Sequence, residues 1–430
     1  MPGPNTQLQP RRVAILGGKR IPFARSFSQY MGLPTQDLMM ASLSSLVEAF
    51  GLKGQRIGEV ALGAVIKHSS DWNLARECTL GSGLSAETPA YDLVQACGTS
   101  LQASITVANK IALGQIEVGI AGGVDTNSDL PFVFSRKFNH IMLEANRQKT
   151  LAAKLKVFLD LRPGDLKPMM PGVVEPRTGL SMGQSCEKMA KEWKIGRQPQ
   201  DELALASHQA AAKAWDEGFY DDLVTPMAGL KQDNNVRGDT TMEKMAKLKP
   251  AFDRGPEGTL TAGNSSALSD GSACVLLASE EWAKKHNHPV LAYLTFSETA
   301  AVEFTKADGL LMAPAFAVPR MLTKAGLKLQ DFDFYEIHEA FAAQVLCTLK
   351  AWESEEFCKT RLGLPGALGK IDRSKMNVKG GSVALGHPFA ATGARIVAGL
   401  AKMISQKGSG RGLISICTGG GMGVTAIIEK

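Results

Sequence analysis

The first and last thirds of this chain pass through the same elements in the same order, and that repeat constrains the fold more than any other feature. Near the start, a helical pattern opens at Leu38-Met39, ends at Gly51-Leu52-Lys53 and leads into the strand-like Glu59-Val60-Ala61-Leu62-Gly63. Later, a comparable pattern opens at Leu311-Met312, ends at Gly326-Leu327-Lys328 and leads into Phe332-Asp333-Phe334-Tyr335-Glu336-Ile337. Alternating strand-like and helix-like segments predict an α/β fold of βα units with a largely parallel sheet. The match extends to two reactive side chains. Cys97 precedes a helical run (101–113), a Gly turn, the strand Val118-Gly119-Ile120-Ala121 and Gly122-Gly123, while His387 precedes a helical run (392–404), a Gly-rich turn, the strand Leu413-Ile414-Ser415-Ile416 and Cys417-Thr418-Gly419-Gly420-Gly421. A duplicated fold brings both to the seam between its halves.

The middle third breaks this pattern, so the expected division is an N-terminal unit from 1–130 and 251–280, an inserted lobe over 131–250, and a C-terminal unit over 281–430. Within the insert, 146–161 carries Leu151, Leu155 and Phe158 at helical spacing among Lys149, Lys154 and Lys156, which predicts one basic amphipathic helix. Residues 162–174 read as loop and 200–218 as an Ala-rich helix. Between positions 131 and 180 nine Arg or Lys face four acids, so much of the formal +6 charge sits there, too little to imply nucleic acid. No apolar run is long enough to cross a membrane. Residues 1–12 lack the core of a secretory signal and read as a flexible tail before the strand-like Val13-Ala14-Ile15-Leu16. Seven cysteines, an odd number without a Cys-x-x-Cys pair, argue against a disulfide framework or zinc site and for a reducing, cytoplasmic location.

Four segments carry chemistry. Gln95-Ala96-Cys97-Gly98-Thr99-Ser100 opens a helix, with Thr99 or Ser100 as the expected cap, and puts a thiol at the positive end of the helix dipole, which lowers a thiol pKa. In Gly380-Gly381-Ser382-Val383-Ala384-Leu385-Gly386-His387-Pro388, small residues admit a ligand close to the backbone around one imidazole, a candidate general base. The turn from Cys417 to Gly423 offers backbone N–H groups for an oxyanion and a second thiol for proton transfer. Glu336-Ile337-His338-Glu339-Ala340-Phe341-Ala342 ends a strand with a second imidazole. Metal binding by His338-Glu339 is set aside, because sequence neighbours face different ways and no third ligand is suggested.

With these motifs in this order, the chain resembles the thiolases from end to end. The resemblance implies a duplicated fold of five αβαβα layers and a 3-ketoacyl-CoA thiolase of fatty acid β-oxidation. Its catalytic residues are then Cys97, the acyl-carrying nucleophile, with His387, His338, Cys417 and Gly419. Met182 and Phe341 would lie against the acyl group and Ser266 against the pantetheine arm, with further coenzyme A contacts around 181–183 and 264–271. The basic insert would attract the coenzyme A phosphates. Coenzyme A is a substrate and no cofactor or metal is implied. His338, where many thiolases have Asn, and the basic insert are similar to the beta subunit of the fatty-acid oxidation trifunctional complex, which implies an alpha-subunit partner. A homodimer or homotetramer is expected, as is peripheral membrane contact through the basic helix. The competing readings are a biosynthetic acetyl-CoA acetyltransferase and a β-ketoacyl synthase-like condensing enzyme; a decarboxylating synthase has no need of Cys417.

Overall fold

The computed structural model of the chain describes residues 10–172 and 174–430; most of the expected N-terminal tail lies outside them. Among the described residues there are ten strands: β1 (Val13–Arg20), β2 (Ala24–Arg25), β3 (Glu59–Leu62), β4 (Ala90–Asp92), β5 (Val118–Asp125), β6 (Ser269–Ser279), β7 (Ala292–Ala301), β8 (Phe334–Ile337), β9 (Arg411–Thr418) and β10 (Met422–Glu429). The helices that support the site are α1 (Thr35–Ala49), α2 (Thr99–Ala112), α3 (Met182–Glu192), α4 (Arg197–Asp216), α5 (Ala313–Ala325), α6 (Ala342–Glu353) and α7 (Thr392–Lys407).

The strand order β4-β3-β5-β6-β1-β7-β10-β9-β8 records the duplication. From outer edge to seam, β3-β5-β6-β1 corresponds to β8-β9-β10-β7, and a single parallel bridge from Tyr335 to Met376 stands where a partner for β4 would lie. The halves join at two residue pairs, Ala14 with Tyr293 and Ile15 with Ala292. The sheet is mixed, not largely parallel. Only β3·β4, β3·β5 and β8·β9 run parallel. The strands nearest the seam pair antiparallel, since β9 returns directly into β10 through the Gly419-Gly420-Gly421 turn and β6 returns beside β5 after the long excursion between them.

Side-chain alternation along the strands builds the layers. On β6, Val275 and Leu277 face a central core that also holds Leu101, Ile105 and Ile111 of α2, Ile396, Leu400 and Ile404 of α7, and Ile414 and Ile416 of β9. Leu276 faces the other way, against Leu38, Leu43 and Leu46 of α1. On the second half Leu413 and Ile427 face outward, against Val318 and Met321 of α5 and Val345 and Leu349 of α6. The result is helix, sheet, paired helices, sheet, helix: a duplicated α/β fold whose middle layer is α2 and α7.

The starts of those two helices touch. A Cβ built on Gly393 would lie 2.3 Å from the backbone nitrogen of Leu101. Ser100 Oγ accepts from Ala394 N at 2.8 Å, so a side chain of one half caps the helix of the other. Each half also seats the other's reactive turn. Gly98 has no room for a Cβ beside Val424 and Thr418, and Gly123 has none beside the Ala390 carbonyl.

Between β5 and β6 the insert does not form the single helix expected over 146–161. Two helices form, Arg136–Arg147 and Leu151–Val157, separated by Gln148-Lys149-Thr150. Ser135 and Thr150 each cap one, accepting from Phe138 N and Ala153 N, a start signal at Thr150 that outweighs the apolar spacing across the break. The apolar residues of the second face outward; Leu151 is 73% and Leu155 60% exposed. Further along, α4 packs on α6, and Trp215 in its last turn joins the central core with Phe219 and Tyr220 just beyond it.

At an open helix position Gly→Ala stabilises by about 1 kcal/mol, whereas overpacking a tight contact costs about 1–3 kcal/mol. Gly393→Ala is therefore expected to lower the urea unfolding midpoint; a raised midpoint would show that the helix starts do not meet this closely.

Candidate active site

The Cys97 turn is built from its own neighbours. After β4 the chain enters a single 3-10 turn over Ala96–Gly98, and Ala96 takes a left-handed φ of 45°, a strained conformation for a residue with a Cβ. Thr99 Oγ1 closes the turn, accepting from Gln95 N at 2.8 Å and donating to Ala96 O at 2.7 Å. Neither expected residue caps α2. Thr99 is spent on the turn and Ser100 on α7.

His387 reaches Cys97 from the other half. Gly386, at φ 103°, passes so close to Asn235 and Ser269 that a side chain is excluded, and Ser269 Oγ accepts from His387 N at 3.1 Å. His387 Nδ1 lies 2.6 Å from Thr392 Oγ1 and its Nε2 lies 3.1 Å from Cys97 Sγ. The tautomer with a proton on Nδ1, donated to Thr392, leaves Nε2 as an acceptor for the thiol.

The expected lowering of the Cys97 pKa does not hold. Cys97 keeps partial contact with solvent, but the protein packed around its sulfur desolvates the thiolate and pushes the thiol up to about 12, against the pull of the Gly419 and Cys97 backbone N–H groups. Burial, with the Arg395 guanidinium nearby, takes His387 down to about 3. Both shifts favour the uncharged form, so the resting pair is a neutral thiol hydrogen-bonded to a neutral imidazole.

His338 follows β8, its N–H donating to Ser415 O at 2.8 Å. Its ring centre lies 4.2 Å from that of His387. Nδ1 is 2.8 Å from Ser382 Oγ, which accepts from Arg395 Nη2 at 3.1 Å. With that bond taken, the serine hydroxyl is free to donate to Nδ1, leaving the Nε2 proton aimed into the cleft. That atom is buried and has no protein partner. Burial first, then His387 and Arg395, hold the pKa of His338 well below its usual value. Glu339 turns away, accepting from Ser207 Oγ, Asn377 Nδ2 and Val383 N.

Cys417, at the end of β9, is 1% exposed; burial, then the neighbouring Cys97, raises its thiol pKa. The Gly419 Cα faces Ala96 and Met182, with a Cβ there 3.7 Å and 3.9 Å from them. One residue here went unnoticed in the sequence: Glu175, nearly buried, whose Oε1 accepts from Gly420 N at 2.6 Å. It stands in a Pro-rich loop that offers no signal of its own.

Met182 and Phe341 join one apolar cluster with Cys417, and Phe341 packs edge-on to Phe252 at 5.7 Å. Ser266 is anchored to Ala340 O through both N and Oγ and lines a cavity of about 630 Å³ together with Phe252, Leu248, Ser265, Arg25 and Arg237. The wall of this cavity bridges to His387 at Leu268 and to Phe341 at Ser265. Ser181 caps α3 in a capping box with Gln184, and Asn264 is consumed by Thr261 N and Asp201, so both hold structure. The cations that line it are Arg25 and Arg237; none of the nine between positions 131 and 180 does.

Similarity to known proteins points the same way. Residues 13–281 match the family described as "Thiolase, N-terminal domain" and residues 288–430 the one described as "Thiolase, C-terminal domain". Proteins named 3-ketoacyl-CoA thiolase from Yersinia pestis (strain Pestoides F) and Yersinia pseudotuberculosis (serotype O:3, strain YPIII) are each 42% identical over all of this chain and 99% of their own length. Among solved structures, an acetyl-CoA acetyltransferase of Bacillus anthracis matches with a TM-score of 0.82 and 31% identity, over 98% of this chain and 100% of that one. A human mitochondrial 3-ketoacyl-CoA thiolase matches at 0.81 and 29%, over 98% and 99%. Both halves of the chain, each with one side of the Cys97–His387 contact, therefore belong to the thiolase family.

Proposed function

We propose that this chain cleaves 3-ketoacyl-CoA with coenzyme A, giving acetyl-CoA and a shortened acyl-CoA, in fatty acid β-oxidation. The observation that carries this is the Cys97 sulfur 3.1 Å from His387 Nε2, with the Gly419 turn packed against Ala96 beside it. His387 Nε2 takes the thiol proton as sulfur attacks the 3-keto carbon, and the N–H groups of Cys97 and Gly419 receive the oxyanion. Collapse breaks the carbon–carbon bond and leaves acyl-Cys97 and an acetyl-CoA enolate. The enolate oxygen is held by the protonated His387 and by His338 Nε2, directly or through water. Cys417 gives its proton to the enolate carbon, then takes one from the incoming coenzyme A thiol. That sulfur attacks acyl-Cys97, and Cys97 leaves with the proton held on His387. The same groups run the reverse condensation.

Desolvation serves this scheme, because neutral groups wait for substrate and charge appears only as the carbonyl receives it. The cavity fits the remaining parts, with Ser266 on the pantetheine arm, Arg25 and Arg237 at the phosphates, and Met182 and Phe341 against the acyl group. Assembly as a dimer or dimer of dimers, and pairing with an alpha subunit, rest on family resemblance alone. A reducing, cytoplasmic setting suits seven cysteines that are all free; no helix among the described residues is long and apolar enough to cross a membrane.

A second role is supported by the insert. Leu143, Leu151, Leu155, Leu159 and Met170 are exposed among its cations, a combination that suits the anionic face of a lipid bilayer.

Three results test these readings. Cys97→Ala is expected to abolish thiolysis and labelling by acyl-CoA, while Cys417→Ala retains acylation and loses about 10²–10⁴-fold in turnover; labelling of Cys97→Ala or full turnover by Cys417→Ala would remove the assigned roles. Since the Cys97 thiol is pushed up, its uncharged form predominates below pH 12, and its alkylation by iodoacetamide should rise about tenfold per pH unit from pH 7 to 10. A plateau by pH 8 would mean a lowered thiol. Finally, the protein should sediment with phosphatidylserine vesicles at low salt and release as salt is raised; no sedimentation at low salt would remove the membrane role.

A further inference from the structure

Three ligand-type atoms from three separate segments converge in this cleft. Cys97 Sγ and one ring nitrogen each of His338 and His387 all lie within 4.8 Å of one another. We propose that Cys97, His338 and His387 form a binding site for one thiophilic divalent cation of the zinc class, which blocks acyl transfer when it binds.

The argument starts from what each atom has left to give. His387 Nε2 faces the Cys97 sulfur at 3.1 Å, and its other nitrogen is held by Thr392 Oγ1. His338 Nε2 is buried, faces the same space and has no partner, while its other nitrogen is held by Ser382 Oγ. A hydroxyl behind each imidazole is the support that fixes ring orientation at metal sites, and Arg395 steadies Ser382 in turn. When Nε2 of His338 binds the metal, its proton resides on Nδ1 and Ser382 Oγ accepts it.

Dimensions agree with a four-coordinate ion. Zn–S of about 2.3 Å and Zn–N of about 2.0–2.1 Å in a tetrahedron put ligand atoms roughly 3.3–3.7 Å apart, so atoms that now lie within 4.8 Å of one another must draw together by up to about 1.5 Å, a movement within reach of side-chain rotation. As the metal–sulfur bond forms, the thiol proton passes to solvent. Cys97 keeps contact with solvent, which gives water the fourth position. Sulfur and imidazole select zinc, cobalt or cadmium over magnesium and calcium, which require oxygen ligands. The adjacent carboxylate, Glu339, is committed to Ser207, Asn377 and Val383, and Asp125 to the backbone N–H groups of Val65, Ile66 and Ala390. His338-Glu339 therefore finds its further ligands about 240 and 50 residues away in sequence, at Cys97 and His387, where local spacing could not reveal them.

Such an ion ties up both the sulfur and the base, so it competes with acyl transfer. His338 converts a cysteine–histidine pair into a three-ligand site, and an asparagine there would not.

The test uses the full chain, dialysed against a chelator and titrated with Co²⁺. One equivalent should bind and produce an intense near-ultraviolet thiolate-to-cobalt band with the strong visible bands of a four-coordinate ion. Zn²⁺ should bleach both and excess Mg²⁺ neither. Cys97→Ser should lose the near-ultraviolet band and His338→Ala should weaken Co²⁺ binding about tenfold or more, with circular dichroism checking that each variant is folded. Independently of any variant, Zn²⁺ should protect Cys97 of the unaltered protein from iodoacetamide, read by peptide mass mapping. A band that survives in Cys97→Ser, or alkylation of Cys97 that Zn²⁺ leaves unchanged, would overturn the site. Neither measurement depends on turnover, so failure here leaves the thiolase activity standing, and an inactive protein that binds Co²⁺ in this way leaves the site standing.

Discussion

The contact between the starts of α2 and α7 organises the molecule. Gly393 lies directly on the Leu101 backbone, and Ser100 supplies the cap that α7 lacks from its own sequence. Cys97 is three residues before one partner of that hydrogen bond and His387 seven before the other, so fixing the helix starts fixes the thiol relative to the imidazole. The requirement is strict, because a hydrogen bond between the two weakens steeply with displacement. Reciprocal seating strengthens it. Strands of the second half receive Gly98, and Asp125 at the end of β5 accepts from Ala390 N at 2.8 Å while also holding Val65 and Ile66. Neither half holds its own reactive turn alone.

Burial then sets the chemistry. Desolvation opposes charge on Cys97, His387, His338 and Cys417 alike, raising the thiols and lowering the imidazoles. A surface cysteine with a lowered pKa is reactive toward any electrophile. Here burial holds the thiol uncharged, and under the proposed mechanism its activation waits for a bound carbonyl.

What the sequence disclosed follows from distance along the chain. The segments carrying Cys97, His387 and Cys417 stood out because dense small residues flank them and because the repeat puts Cys97 and His387 at matching positions. The partners that tune them did not. Ser100 caps a helix 294 residues away and Glu175 holds a loop 245 residues away; neither has a local pattern to announce it. Strand direction was misread for a related reason, since βα alternation describes β3, β4 and β5 but not the antiparallel returns of β6 and β10. The thiol shift was misread because helix-end position is visible in sequence and burial is not.

Glu175 changes how the insert should be regarded. Its backbone is pinned to Leu180 in a short return that runs into Ser181, the cap of α3, and Met182, the first residue of α3, adjoins Gly419. Nearly buried, the Glu175 side chain accepts from the Gly420 N–H at 2.6 Å and so fixes the turn. On the other side Phe304 fills the space beside Gly421. The turn that carries the Gly419 N–H is thus clamped between the insert and the second half, although its glycines could otherwise adopt many conformations. Part of the insert faces outward with exposed apolar residues, yet Glu175 and Met182 hold the Gly419-Gly420-Gly421 turn, so the lobe cannot be removed without loosening that turn.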